Sequence, residues 1–279
     1  MEVKEVIAKP FLRWAGGKSW LVNDIVSKLK SDFNNYHEPF LGSAALFIKL
    51  KNQEKIKGKV YLNDINSALI NAYRELKNHP NEVFDLLRNY RNNETFYYQV
   101  RERNSIDNIR RASDFIYLNR TCFNGIYRVN LKGEFNVPYG FKKYKPLFDY
   151  ANLSQMHNLL KYNVRLLSKD FFETLKNIKK NDLVFIDPPY TVNHENNGFI
   201  KYNEKIFSWE DQIRLKSFIK QIIKKKAYFI LTNASHDSIS QLFSDIARPV
   251  LKERISLIGG KEANRGIVHE YVFSNCLKK

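Results

Sequence analysis

A chain of 279 residues with 43% hydrophobic residues and only 8 Pro and 11 Gly can bury a substantial core, which excludes disorder, collagen-like and low-complexity architectures as descriptions of the whole. Forty-six Lys and Arg against 29 Asp and Glu leave a formal net charge of +17, more than solubility needs; a polyanionic partner fits, nucleic acid ahead of an anionic membrane surface. Two cysteines, Cys122 and Cys276, are too few and too far apart for a thiolate metal cluster or a disulfide framework, and both read as inert. The start, Met1-Glu2-Val3-Lys4-Glu5, has no apolar core and no run approaches the roughly 18 apolar residues of a membrane span, so a cytosolic protein is expected.

The first motif is Pro10-Phe11-Leu12-Arg13-Trp14-Ala15-Gly16-Gly17-Lys18-Ser19. Its ending is shared with a phosphate-binding loop, but the glycine required six residues before the lysine is Leu12 here. A turn is one reading; a Trp, two Gly and a Lys that bind a flat, cation-bearing ligand is the other. A predicted strand, Tyr36 to Pro39, then turns through Gly42 into an apolar helix, Ser43 to Lys51. The next strand, Lys59 to Asn63, delivers Asp64 to its carboxyl edge, twenty-two positions after Gly42. An acid there hydrogen-bonds ribose hydroxyls in nucleoside-binding α/β sheets, or else caps the following helix, Asn66 to Lys77.

From about Asn78 to Tyr150 the strand–helix rhythm stops. The stretch reads as consecutive helices, including Asn93 to Asn104 and Asn108 to Arg120, followed by a Gly-punctuated aromatic hairpin, which points to an inserted second domain. Between Arg110 and Lys145 eight Lys or Arg stand against two acids, with eight aromatics interleaved. Cations grip phosphates, aromatics fill gaps in base stacks, and Arg pairs bidentately with a guanine edge; a solvated face over a small core is the blander alternative.

The rhythm then resumes. Predicted strands are Asn163 to Leu167, Asp182 to Ile186, Ala227 to Thr232, Val250 to Ile258 and Ile267 to Ser274, and the helix Ser208 to Lys225 opens on Ser208-Trp209-Glu210-Asp211, a capping-box pattern with Asp in place of Glu. The whole is an α/β class with a largely parallel sheet. Asp182-Leu183-Val184-Phe185-Ile186-Asp187-Pro188-Pro189-Tyr190 is the most informative segment. A buried strand carries Asp187 to the crevice where open α/β sheets bind ligands. Two prolines keep the chain extended and remove two donors, leaving carbonyl acceptors and a carboxylate beside an aromatic face. That set suits an amino group on a flat ring: the Asp187 carboxylate and the Pro188 carbonyl each accept one N–H, Tyr190 stacks, and the nitrogen lone pair is drawn out of conjugation. A plain turn capped by Asp187 is the alternative.

Together and in this order, Phe11 to Lys18, Glu38-Pro39-Phe40-Leu41-Gly42, Asn63-Asp64-Ile65-Asn66, Tyr117-Leu118-Asn119-Arg120, Phe123 to Asn130, Gly133 to Gly140 and Asp187-Pro188-Pro189-Tyr190 resemble the Dam-type N6-adenine DNA methyltransferases, the D12 class in its alpha-group motif order. The resemblance covers nearly the whole chain. It implies a Rossmann-like S-adenosylmethionine-dependent methyltransferase core, residues 1–77 and 151–279, with a mixed seven-stranded sheet, and a mainly helical DNA-recognition insertion, residues 78–150, that carries a β-hairpin. It implies S-adenosyl-L-methionine as cofactor, held by Trp14, Lys18, Phe40, Gly42, Asp64, Asp187 and, less closely matched, Asp170 and Phe171. It assigns catalysis to Asp187, Pro188, Pro189 and Tyr190, and DNA contacts to Arg120, Phe123, Asn124, Ile126, Arg128, Asn130, Asn136 and Pro138, with GATC or another GAT-containing target and base flipping. The family's second loop glycine is Ala44 here. Thr191 to Phe207, with Phe199 and Tyr202, reads as a lid. No metal is implied; the partner is double-stranded DNA, a restriction endonuclease acting separately is compatible, and the enzyme is expected to be a monomer in the cytoplasm of a bacterium or of a phage's host. Three other readings stay open: the same chemistry on RNA or a protein amide, a metal-dependent nuclease using Asp64 with Glu75-Leu76-Lys77, and a non-catalytic DNA-binding protein.

Overall fold

The computed structural model describes residues 7–29, 32–130, 132–190, 207–255 and 267–278. Seven strands, β1 (Tyr36–Glu38), β2 (Val60–Asn63), β3 (Val164–Leu167), β4 (Leu183–Ile186), β5 (Tyr228–Ala234), β6 (Val250–Ile255) and β7 (Ile267–Ser274), form one mixed sheet in the order β3-β2-β1-β4-β5-β7-β6. β4 lies parallel to β1 and β5, whereas β7 runs antiparallel to both β5 and β6. All seven correspond to runs predicted from the sequence, because strands buried in parallel sheets read as short continuous apolar stretches; β4 is buried at every position. β1 stops at Glu38, one residue short of expectation, since Pro39 has no N–H to give to a ladder. Residues 256–258 of the predicted sixth strand lie outside the described residues.

Among the described residues the helices are α1 (Val22–Lys28), α2 (Ala45–Asn52), α3 (Ser67–Asn78), α4 (Pro80–Arg88), α5 (Glu94–Arg101), α6 (Asn108–Thr121), α7 (Tyr150–Lys161), α8 (Trp209–Lys224) and α9 (Asp237–Leu242). Their starts are written in the sequence: Asn66 accepts from the amides of Ala68 and Leu69 at the head of α3, Asp107 caps α6, and Ser208 and Asp211 close the expected capping box on α8. The mixed sheet with its helices has the Rossmann-like architecture that the resemblance implies.

The chain divides into two compact units. The first comprises Met1–Ser19, Leu41–Lys55 and Leu62–Ser168; the second comprises Trp20–Phe40, Ile56–Tyr61 and Lys169–Lys279. The first unit packs α3 against α6 and α7. Its aromatic core brings Tyr90, Phe96 and Tyr117 edge to face at centroid distances of 5.2–5.6 Å. The expected hairpin follows α6, but it closes through single bridges, Cys122 to Tyr139 and Val129 to Phe135, and not through regular strands. The second unit has its core on β4, β5 and β7 beneath α8, centred on Phe171, Ile186, Phe218, Phe229 and Phe273.

Candidate active site

In the first unit, the opening loop is folded by its own backbone. The Gly17 amide donates to the Trp14 carbonyl at 3.1 Å, Gly16 takes φ +78°, and the Lys18 ammonium, 2% exposed, donates to the Gly16 carbonyl at 2.5 Å. This is a tight turn around a buried cation, not a phosphate-binding loop. Asn119 on α6 fixes the segment from both sides, its Oδ1 accepting from the Arg13 amide at 2.8 Å and its Nδ2 donating to the Arg13 carbonyl at 2.7 Å. Trp14 stacks on Tyr127 at 5.4 Å and 22°. A Cβ at Gly42 would stand 3.0 Å from Trp14 Cδ1, and Gly42 has φ +47°, so both space and conformation call for glycine there.

Asp64 follows β2 and is half-buried. Its Oδ2 accepts from the Gly42 amide at 3.2 Å and its Oδ1 from the Asn66 amide at 3.0 Å. Burial pushes its carboxyl upward, against backbone donors from Asn66, Gly42 and Leu41 that favour the anion. The two readings of Asp64 therefore separate: the cap of α3 is Asn66, and Asp64 instead ties the Gly42 turn to the end of β2. The acid and lysine that mimic a nuclease set are structural. Glu75 is 6% exposed within α3, and the Lys77 ammonium donates to the Val164 carbonyl at 2.6 Å.

The hairpin presents Phe123, Asn124, Ile126, Arg128 and Pro138 to solvent, with Asn130 and Asn136 half-buried. Arg128 Nε donates to Asn136 Oδ1 at 2.8 Å and Nη2 to the Asn136 carbonyl at 3.3 Å, so the guanidinium is aimed by its cross-strand neighbour. Asn130 organises the tip, its Oδ1 accepting from the Lys132 and Glu134 amides. Arg120 differs from the others. Its guanidinium lies 3.9 Å over the Tyr144 ring and its Nε donates to the Leu147 carbonyl at 3.0 Å, so it braces the hairpin's return segment. Phe141, outside the residues predicted from the sequence, is 68% exposed beside Lys142 and Lys143.

In the second unit, β4 is followed by Asp187, whose Oδ1 accepts from the Thr232 hydroxyl on β5 at 2.6 Å. Pro188 is buried, and Asp187, Pro189 and Tyr190 are half-buried. The Tyr190 hydroxyl donates to Glu270 Oε2 on β7 at 2.7 Å, and Arg254 Nε on β6 donates to Glu270 Oε1 at 2.7 Å. Burial first, then the negative charges of Asp187 and Glu270, push the Tyr190 phenol far above its ordinary range, so it remains a donor. Thr232, Glu270 and Arg254 escaped the sequence reading, although an acid in a β-run that continues as Tyr271-Val272-Phe273 is a signal that could have found Glu270.

Asp170 caps a short 3-10 turn, Phe171–Asn177, through the Phe172 amide, and Arg214 of α8 pairs with it at 2.8 Å. Phe171 is 5% exposed, packed against Phe40 at 5.3 Å and Phe207 at 6.0 Å, with the Arg214 guanidinium 5.0 Å from its ring centre. Phe40 and Phe171 are thus joined within the aromatic core. Of the segment read as a lid, residues 191–206, with Phe199 and Tyr202, lie outside the described residues, and Phe207 belongs to that core.

A family model described as D12 class N6 adenine-specific DNA methyltransferase matches residues 14–257. A Type II methyltransferase of Lactococcus lactis subsp. cremoris is 33% identical over 284 residues, covering 99% of this chain and 98% of that protein. A Type II methyltransferase of Methanocaldococcus jannaschii is 36% identical over 275 residues, covering 91% and 94%. The DNA adenine methylase of Escherichia coli is 33% identical over 237 residues, covering 83% and 82%.

Proposed function

The chain belongs to the D12 class of N6 adenine-specific DNA methyltransferases, and from that premise we propose that it methylates adenine N6 in duplex DNA at GATC or another GAT-containing site, after flipping the base onto Asp187-Pro188-Pro189-Tyr190. The observation that carries this reading is the Asp187 carboxylate, held at the end of β4 by the Thr232 hydroxyl at 2.6 Å beside a tethered tyrosine ring. An adenine amino group has two N–H donors, and Asp187 with the Pro188 carbonyl offers the two acceptors. Tyr190 offers the stacking face. Hydrogen bonds to those acceptors turn the N6 lone pair out of the ring's π system and towards an incoming methyl group; Pro189 keeps the segment extended so that the acceptors do not fold back.

The methyl donor is S-adenosyl-L-methionine, which when bound supplies an electrophilic methyl on a positively charged sulfur, so that the protein's contribution is orientation. The donor set fits such a group: a carboxylate at a strand end held by backbone amides, a buried ammonium, and aromatic faces. In the first unit Asp64 takes the ribose hydroxyls, Gly42 keeps the backbone clear, and Trp14 and Lys18 face the methionine moiety. In the second, Asp187, Phe40, Asp170 and Phe171 are the residues assigned to the cofactor, Asp170 binding once Arg214 yields.

Residues 78–150 act as the DNA-recognition segment. Arg128 reads a guanine, with Asn136 orienting it, and Pro138 flanks the read bases. Phe123, Asn124 and Ile126 enter the gap left by the flipped base. Asn130 holds the hairpin tip against the backbone, and Arg120 supports the segment from behind. An Arg128→Ala variant is expected to lose about 1–3 kcal/mol on the matched duplex and much less on one whose guanine is replaced. Equal losses on both duplexes would reassign Arg128 to phosphate binding. The enzyme works as a cytoplasmic monomer, with any restriction endonuclease a separate protein; among the described residues no helix is long and apolar enough to cross a membrane.

A further inference from the structure

The mechanism above uses the face of Tyr190 but leaves its hydroxyl without a task. That hydroxyl is bound by a carboxylate whose burial is hard to explain otherwise. Glu270 is 1% exposed within β7, a position flanked by sheet neighbours on both sides, where it pairs with Ala234 of β5 and Lys252 of β6. An ionised carboxylate at such a position is costly unless each oxygen has a strong partner. Here Oε1 accepts from Arg254 Nε and Oε2 from the Tyr190 hydroxyl, both at 2.7 Å.

The strand register explains how these groups meet. Side chains two residues apart on a strand share a face, and directly paired residues on adjacent strands share it too. Thr232 is therefore on the face of Ala234, Ala234 on that of its partner Glu270, and Arg254 on that of Lys252, which also pairs with Glu270. One face of β5, β7 and β6 thus carries Thr232, Glu270 and Arg254, and that face receives both the Asp187 carboxylate and the Tyr190 hydroxyl.

We infer that Glu270, anchored by Arg254, is a positioning residue that locks the plane of the Tyr190 ring for the flipped adenine. The inference rests on the reading of Asp187 to Tyr190 as the methyl-transfer site. Without its tether the ring keeps its stacking surface but tilts freely, so the base still leaves the duplex while its N6 meets the Asp187 and Pro188 acceptors in fewer of its orientations. The loss falls on the methyl-transfer step, with little effect on binding of either substrate.

Single-turnover methyl transfer to an unmethylated duplex, combined with 2-aminopurine fluorescence at the mapped target adenine, tests this in the full chain. Tyr190→Phe, which removes only the hydroxyl, and Glu270→Gln, which keeps an acceptor and the side-chain shape, are each expected to slow the transfer step roughly tenfold, as loss of orientation does. Cofactor and DNA dissociation constants should stay within twofold of the parent values, and the double variant should be no slower than either single one. A Glu270→Gln effect as large in the Tyr190→Phe background as in the parent would overturn the tether, because Glu270 would then act independently of the hydroxyl; so would parental rates in both single variants. If the parent protein places no methyl on DNA, the proposed reaction itself falls and the inference falls with it, an outcome distinguishable from the others because it precedes any substitution.

Discussion

Thr232, a side chain with no motif of its own, is the test of how Asp187 is held for the proposed reaction. Its hydroxyl donates to Asp187 at 2.6 Å, and a hydrogen bond to a charged acceptor is worth about 1.5–3 kcal/mol. Thr232→Val keeps the shape and removes the donor. It is expected to lower kcat by about tenfold or more, with little change in KM for DNA; an unchanged kcat would show that Asp187 is held by other groups. Cys122 illustrates the opposite case. Burial pushes its thiol up to about 11, only partly offset by neighbouring backbone amides and Arg13, and Cys276 is buried as well. Neither should react with a thiol reagent at neutral pH in the folded protein, whereas two thiols should appear on denaturation. A rapidly labelled native thiol would contradict this.

Elements start and stop where backbone hydrogen bonds demand partners, and this level was the most legible in the sequence. The seven strands stand where apolar runs predicted them, and α8 begins on the capping box read from Ser208 and Asp211. Ser208→Ala should cost about 1 kcal/mol of stability, measured by urea denaturation, because it leaves the Asp211 amide without its partner. The Gly42 turn and the delivery of Asp64 and Asp187 to strand ends were legible for the same reason. What escaped depends on pairing between distant strands: the contacts of Thr232, Glu270 and Arg254 follow from the β5–β7–β6 register, which no local pattern encodes. The hairpin's reduction to single bridges also escaped. Its tip is held by Asn130 side-chain bonds beside two backbone bonds, from the Asn130 amide to the Glu134 carbonyl and from the Asn136 amide to the Arg128 carbonyl, and Asn124 adopts φ +54°. Ala44, at φ +58° and 1% exposed, heads α2 in the left-handed region that favours the glycine of the family pattern. Ala44→Gly should therefore be neutral or stabilising by about 1 kcal/mol, against the loss expected of glycine in a helix interior.

Across the molecule, charge and pH act on different parts. The net charge of +17 makes DNA affinity a function of salt, and each Lys or Arg substitution that takes a phosphate-binding cation out of the hairpin should lower the log–log salt slope by about 1. Among the groups that contribute to acid sensitivity is Asp182, which has no exposed surface. Burial opposes its ionisation, but hydrogen bonds from His37 Nε2 at 2.9 Å and from the Lys179 and Asn35 amides prevail and hold its carboxyl below the usual 3.8. A depressed folded-state value means that this stabilisation is present above about pH 4 and is lost as the pH falls through it. The urea midpoint should decline below that pH in the parent and less steeply in Asp182→Asn; parallel declines would place the acid sensitivity elsewhere. In the proposed reaction Asp187 directs methyl transfer to adenine N6 in duplex DNA. The most direct measurement is transfer of labelled methyl from S-adenosyl-L-methionine to unmethylated duplex DNA by the parent and by Asp187→Ala, followed by nucleoside digestion and chromatography. Label in N6-methyladenine with the parent, and its loss in Asp187→Ala, is the predicted result. Label in another nucleoside, or undiminished N6-methyladenine from Asp187→Ala, would contradict it.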